Sequence, residues 1–329
     1  MTVPVPAVLA RGVDTVLDRS VVLGYSKVGL AWRRSLPTWP SDPQPGSLDG
    51  QDVLVTGASS GLGTATAAGV AGLGARVHLL VRDPDKGRRV EAELSRAVPS
   101  AHFEVWRCDV SDLEDVRRFA ADFAGALLDR GSSLAGLVHN AGAMPPERAE
   151  SAQGHEMATA THVLGPVLMT DLLLDPLSAG HGRVVMVTSG GMYAQSLPVG
   201  DPEYLDDEYK PATAYARSKR VQVSLLPHLA QRWRPRDVAV HAMHPGWADT
   251  PGVVDSLPGF HRVTKPILRD ARGGADTSVW LVGCRPAPPS GCLWHDRRTR
   301  PEHVVPWTRE TDDERAAMWA WVRDAAGLR

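Results

Sequence analysis

The chain has 329 residues, 43% hydrophobic and 22% charged, with a formal net charge of −2. This composition supports a sizeable core, excludes a disordered, collagen-like or coiled-coil chain, and gives no overall attraction to nucleic acid, which is not expected as a partner. Three cysteines, Cys108, Cys284 and Cys292, lack paired spacing and point to a reducing, cytoplasmic setting rather than a disulfide framework. The twelve histidines form no HExxH or other ligand pair, so no metal is expected.

In chain order, Leu17, Val21, Tyr25, Val28 and Trp32 recur at three- and four-residue steps, with Arg11, Arg19, Lys27, Arg33 and Arg34 among or beside them. That spacing predicts a basic amphipathic helix. It reads either as an arm packed on the body of the protein or on a dimer partner, or as a helix resting on a membrane surface, which would make the protein peripheral. Lys27 interrupts the longest apolar run, so no membrane span is expected. Pro37 to Gly50, with four prolines and two glycines, closes an N-terminal unit of residues 1–49.

From Gln51 onward, short apolar runs alternate with longer segments of helical period, the pattern of repeated βα units. Strands are predicted at Asp52–Thr56, Arg76–Val81, His102–Arg107, Leu134–His139, Arg183–Thr188, Val238–Met243 and Gly291–His295, with helices near 61–74, 85–97, 112–129, 154–174, 213–233 and 271–283. Seven strands fit one domain over residues 50–298, a three-layer α/β fold whose parallel sheet carries helices on both faces. Residues 299–329 read as a C-terminal extension. There Thr311 and Glu314 make a capping box ahead of a terminal helix bearing Met318, Trp319, Trp321 and Val322.

Val53-Leu-Val-Thr56-Gly57-Ala-Ser59-Ser60-Gly61-Leu62-Gly63 places a glycine-rich turn between the first strand and a helix. Glycine there admits the backbone to a pyrophosphate, and the free N–H groups of the helix start favour the anion. A bare GxxxGxG would arise by chance in roughly a quarter of chains this rich in glycine, so its position after the first strand carries the weight. At the end of the second strand, Arg82 would pair a 2′-phosphate and Asp83 a 2′-hydroxyl, and NADP(H) is favoured over NAD(H); alternatively Arg82 is a solvated surface charge and Asp83 caps the helix that follows. After the third strand, Asp109 offers a carboxylate for the adenine amino group; equally, Asp109 or Ser111 caps the helix that follows.

Tyr215 and Lys219 lie four apart on a predicted helix and share a face. With five tyrosines and five lysines in the chain, chance supplies a YxxxK with a probability of roughly 0.08. An ammonium beside a phenol stabilises the phenolate and brings it toward a pKa useful for proton transfer. Ser189, at the C-terminal end of the fifth strand, sits on the edge where open α/β sheets bind ligands and could hydrogen-bond a carbonyl oxygen.

At these residues the chain resembles the short-chain dehydrogenase/reductase family. Thr56-Gly57-Ala-Ser-Ser-Gly61-Leu-Gly63, Asn140-Ala141-Gly142, Ser189, Tyr215-Ala-Arg-Ser-Lys219 and Pro245-Gly246 occur in that family's order, across about residues 50–298. More narrowly, His244-Pro-Gly-Trp-Ala-Asp-Thr-Pro-Gly252, Trp294-His-Asp-Arg-Arg298 and Asp18-Arg-Ser-Val-Val22 resemble the dehydrogenase/reductase SDR family member 12 group. The resemblance implies a Rossmann sheet and a nicotinamide cofactor held by Thr56, Gly57, Ser59, Ser60, Gly61, Leu62, Gly63, Arg82, Asp109, Val110, Asn140, Ala141, Gly142, Tyr215, Lys219, Pro245, Gly246 and Thr250. It further implies Tyr215 as acid/base, Lys219 binding the ribose and lowering the tyrosine pKa, and Ser189 orienting the substrate.

One departure stands out: His162-Val-Leu-Gly165 replaces the family's usual Asn-x-x-Gly, whose asparagine helps hold a proton-relay water, so His162 either serves the relay, weakens it, or simply packs. Met192, Tyr193 and Leu197, with Val253, Val254, Leu257 and Phe260, suggest an apolar pocket, although such loop residues also bury against their own scaffold. The expectation is an NADP(H)-dependent oxidoreductase interconverting a carbonyl and an alcohol on a lipophilic small molecule, self-associating as the family tends to. The alternative is a dinucleotide-binding regulatory or scaffold protein with little or no turnover.

Overall fold

Strands buried on both faces need continuous apolar runs, and β1 (Asp52–Thr56) is buried at every position. The computed structural model describes residues 7–249 and 258–328. After β1 come β2 (Arg76–Val81), β3 (His102–Arg107), β4 (Leu134–His139), β5 (Arg183–Val187), β6 (Ala239–Met243), β7 (Cys292–His295) and β8 (Arg298–Arg300), in one sheet of order β3-β2-β1-β4-β5-β6-β7-β8. Neighbours run parallel except β7 and β8.

The helices are α1 (Ala7–Arg19), α2 (Val21–Tyr25), α3 (Lys27–Ser35), α4 (Gly61–Ala71), α5 (Pro84–Ala97), α6 (Leu113–Asp129), α7 (Met157–Thr159), α8 (Gly165–Leu172), α9 (Leu174–Ala179), α10 (Pro211–Ser224), α11 (Leu226–Trp233), α12 (Pro258–Thr264), α13 (Ala271–Gly283) and α14 (Asp312–Ala325). Side chains alternate across the sheet. Leu54 faces a core built with Phe119, Leu168, Val223 and Leu229 of α6, α8, α10 and α11, while Val53 and Val55 face one built with Ala67, Leu94 and Leu281 of α4, α5 and α13. This three-layer Rossmann arrangement places the end of β1 at the switch point between β2 and β4, where such sheets open a crevice for a ligand.

The sheet carries one short strand beyond the seven expected. His295 pairs with Arg298 around Asp296 and Arg297, both at positive φ (51° and 56°), which makes a two-residue hairpin. Such turns are usually announced by Asn-Gly or Asp-Gly, and here neither is present.

At the N-terminus, three short helices replace the single amphipathic one. Ser20 and Ser26 sit at the breaks, and the Ser26 hydroxyl accepts a hydrogen bond from the Gly29 N–H to start α3. The breaks put the expected stripe out of phase, so Leu17 and Tyr25 are buried while Val21, Val28 and Trp32 are 48%, 42% and 59% exposed. Buried charge ties the arm down. Arg33 donates to Asp14 (2.8 Å) and to Asp296 (2.6 Å), and Arg300 donates to Asp14 (2.9 Å). Among the described residues no helix is long and apolar enough to cross a membrane.

Candidate active site

The glycine turn is built by omission of side chains. Gly57 has φ +64°, and a Cβ on it would lie 2.7 Å from the Ala141 Cα; a Cβ on Gly63 would lie 2.3 Å from the Gly57 carbonyl oxygen. Gly61 also takes a positive φ of 54°. Thr56 joins the ends of β1 and β4: its hydroxyl accepts from the N–H groups of Asn140 (3.0 Å) and Ala141 (2.9 Å). Asn140 Nδ2 returns a bond to the Thr56 carbonyl (3.1 Å). At the start of α4 the Ser60 side chain makes no capping bond, which leaves the first N–H groups beside Ser59 and Ser60 for an anion. Leu62 turns inward, reaching the space a Gly274 side chain would take. A cradle that any Cβ would fill, ending at an open helix N-terminus, fits a dinucleotide.

Asp83 caps α5, accepting from the N–H groups of Asp85 (2.9 Å) and Lys86 (3.2 Å), and these bonds, with that from Lys86 foremost, lower its pKa. Arg82 is exposed at the same strand end. Asp109 accepts from both the N–H (3.0 Å) and the hydroxyl (2.7 Å) of Ser111 through one oxygen, while Asp112 supplies the cap of α6. Val110 is buried between them and α8, its carbonyl filling the place of a Gly165 side chain.

The helix predicted over 154–174 runs through a π turn at Ala160–Leu164, and α10 packs beside it. The structure brings Ser189, Tyr215 and Lys219 together. Lys219 Nζ lies 5.5 Å from the Tyr215 ring centroid and donates to the Val187 carbonyl (2.8 Å). Burial pushes the Tyr215 hydroxyl up to about 12, and a hydrogen bond with Ser189 works against that shift. Burial likewise brings Lys219 down to about 7. Desolvation thus favours the neutral form of both groups.

His162 is fully buried in the π turn. Its Nε2 accepts from the Ala143 N–H (3.0 Å), which leaves the proton on Nδ1 to donate to Ser218 Oγ (2.8 Å), and Ser218 in turn donates to the Tyr215 carbonyl (2.7 Å). Burial, then the nearby Lys219, holds the imidazole neutral, well below its ordinary pKa. Gln222, which the sequence reading missed, donates from Nε2 to the His162 carbonyl (2.7 Å). A signal for it existed: Tyr215, Ser218, Lys219 and Gln222 share the 3–4 spacing of one helix face.

Pro245 and Gly246 follow β6, with Gly246 at φ +74°. Thr250, Val253, Val254 and Leu257 lie outside the described residues, as does the side chain of Phe260. Met192 and Leu197 are buried in the core, so of Met192, Tyr193 and Leu197 only Tyr193 keeps partial exposure. The Tyr193 hydroxyl donates to the Pro301 carbonyl (3.0 Å).

Residues 51–258 match the short chain dehydrogenase family model. The chain is 37% identical over 262 residues to dehydrogenase/reductase SDR family member 12 of Bos taurus, covering 78% of this chain and 80% of that one. It is 33% identical over 235 residues to retinol dehydrogenase 12 of Homo sapiens, covering 70% and 73%. A crystal structure of a Beutenbergia cavernae protein with NADP bound at low occupancy is 25% identical with a TM-score of 0.60, covering 76% of this chain and 96% of that one. The chain therefore belongs to the short-chain dehydrogenase/reductase family, NAD(P)-dependent oxidoreductases that act on CH–OH groups.

Proposed function

We propose that this chain is an NADP(H)-dependent reductase or dehydrogenase that interconverts a carbonyl and an alcohol on a lipophilic small molecule, with the catalytic apparatus in residues 50–298. The observation that carries this reading is the meeting of Ser189, Tyr215 and Lys219 at the C-terminal edge of the sheet, next to the glycine cradle. When bound, the nicotinamide supplies or accepts the hydride. Ser189 and Tyr215 hold the carbonyl oxygen, and Tyr215 Oη donates its proton as negative charge develops there. Burial keeps that proton on Tyr215 at neutral pH, the state a donor needs. Lys219 sits under the tyrosine to hold the cofactor ribose. His162, fixed as a neutral donor to Ser218, braces the turn that bears Tyr215.

Two observations support the finer choices. Asp83 is engaged in capping α5, so Arg82 is the group at that strand end available to a 2′-phosphate, and the Beutenbergia cavernae neighbour holds NADP. The human relative's name specifies retinol, a lipophilic alcohol. The test is NADPH oxidation across lipophilic aldehydes and ketones with wild type and Tyr215→Phe. Loss of about 10²–10⁴-fold in kcat with NADPH affinity retained is expected. Tight NADPH binding with no turnover by wild type would turn the assignment to a regulatory or scaffold protein.

The arm's outer face favours contact with an anionic membrane surface. Val8 and Val16 are 82% and 68% exposed there, and Asp14 and Asp18 turn inward toward Arg33 and Arg300, so the exposed charges of residues 8–36 are Arg11, Arg19, Lys27 and Arg34. Flotation with phosphatidylserine vesicles should recover wild type and lose Val16→Glu/Trp32→Glu; equal recovery would sink the idea.

A further inference from the structure

A segment from the far N-terminus is lodged against the candidate site. Gly24, Tyr25 and Ser26 are buried across the C-terminal ends of β5, β6 and β7. The Tyr25 ring meets His244 edge-on at 4.6 Å between centroids and His295 at 5.2 Å. A Cβ on Gly190, the residue after Ser189, would lie 2.7 Å from Tyr25 Cε2. On the other side, a Cβ on Gly246 would lie 2.7 Å from the Tyr25 carbonyl oxygen. That oxygen accepts from the Trp247 N–H (2.8 Å) and from Arg269 Nε (2.9 Å).

Arg269 makes the arrangement stiff. Its buried guanidinium donates to the carbonyls of Gly24 (2.9 Å) and Pro245 (3.2 Å) and to both oxygens of Asp296 (2.6 and 2.9 Å). Asp296 also receives Arg33. Arm and cofactor loop are thus bonded to the same cation. A Cβ on Gly246 would also lie 2.6 Å from the Arg269 guanidinium carbon, so the space left by the two glycines is filled by the Tyr25 ring at Gly190 and by the Tyr25 carbonyl with Arg269 at Gly246.

We propose that Tyr25 is a positioning residue of the active site: its ring and carbonyl hold Gly190 and Gly246–Trp247 apart at the spacing that Ser189 and the cofactor loop require. This rests on the reading of Ser189 and Tyr215 given above. Tyr25 does not touch reacting atoms; it is 4% exposed and acts through the two glycines. Reaction rates depend on such spacing because small misplacements of the reacting groups are costly even when binding survives.

The experiment uses the full chain, wild type against Tyr25→Phe, Tyr25→Leu and Tyr25→Ala, with NADPH and a ketone that wild type reduces. Rates are expressed per NADPH-binding site, and each is repeated with NADPH deuterated at the transferred position. In Tyr25→Ala, kcat per site should fall about tenfold and the isotope effect rise, with the NADPH Kd moving less than about threefold. Tyr25→Phe, which keeps the ring, should stay within about twofold. If the alanine variant folds poorly, Tyr25→Leu keeps the apolar bulk and should show the same slowed, isotope-sensitive step. Wild-type kcat and isotope effect per site, even with fewer competent sites, would make Tyr25 merely structural and overturn the proposal. Failure of the underlying reading looks different: turnover that survives Tyr215→Phe, or a wild type that turns nothing over, overturns both.

Discussion

The two sides of the candidate site are held by opposite means. Around Gly57 and Gly63, main chain meets main chain because side chains are missing, and one threonine hydroxyl ties β1 to β4. Around Tyr25, long side chains are buried, and Arg33, Arg269 and Arg300 are balanced by Asp14, Asp18 and Asp296. The first side tolerates no added atom; the second tolerates no lost charge. The difference teaches where each is vulnerable, since backbone contact resists pH whereas buried ionisable groups answer to it.

Acid should therefore produce the largest effect, and it should begin with histidines. Burial lowers His139, His241 and His295 to about 3, the last against the opposing pull of Asp296. Below the unfolded value of about 6.5 the unfolded chain binds more protons, so each costs up to about 1.4 kcal/mol per pH unit as pH falls toward its folded pKa. Asp296 behaves oppositely. Burial raises its carboxyl, but His295, Arg269 and Arg33 hold it well below the carboxylate range, so its contribution persists above about pH 4 and fades only below. Urea unfolding at about pH 7 and about pH 5.5 should differ by several kcal/mol; a flat profile would mean that these histidines are not held neutral in the folded protein.

Next in size, Asp296→Ala leaves Arg33 and Arg269 buried without their shared partner and should cost about 3–5 kcal/mol in chemical denaturation. Gly63→Ala drives a Cβ into the Gly57 carbonyl and should cost about 1–3 kcal/mol, with NADPH binding lost by calorimetry. If Gly63→Ala instead bound NADPH normally, the cradle would not be the cofactor site. Smallest in stability is Arg82→Ala, within about 0.5 kcal/mol, yet it should erode the NADPH-over-NADH preference about tenfold.

The strands, the glycine turn and the shared face of Tyr215 and Lys219 were legible because each is set by neighbours within a few residues: apolar runs, a missing side chain, a helical step. Capping by Asp83 was one of two readings the sequence left open, because whether its carboxylate faces α5 or a cofactor depends on where α5 begins in space. Strand β8 was not legible, because its hairpin turns at Asp296 and Arg297 without an Asn-Gly or Asp-Gly pair. Tyr25 fitted a periodic stripe, and only the break at Ser26 and a cation 244 positions away turn it toward the site. Pairings of that reach leave no local trace.

The bond between Arg33 and Asp296 spans 263 positions, and that separation has a consequence for how the molecule is made. A chain emerging from the ribosome exposes Arg33 263 residues before Asp296 of the partner hairpin. Until then Arg33 has no acceptor from that hairpin, and the Tyr25 ring lacks His295 beside it. Chain termination before Asp296 would leave the cofactor cradle sequence complete and the arm bonded to Trp247 and Arg269 but lacking this acceptor for Arg33, so residues made late decide how firmly residues made early are held.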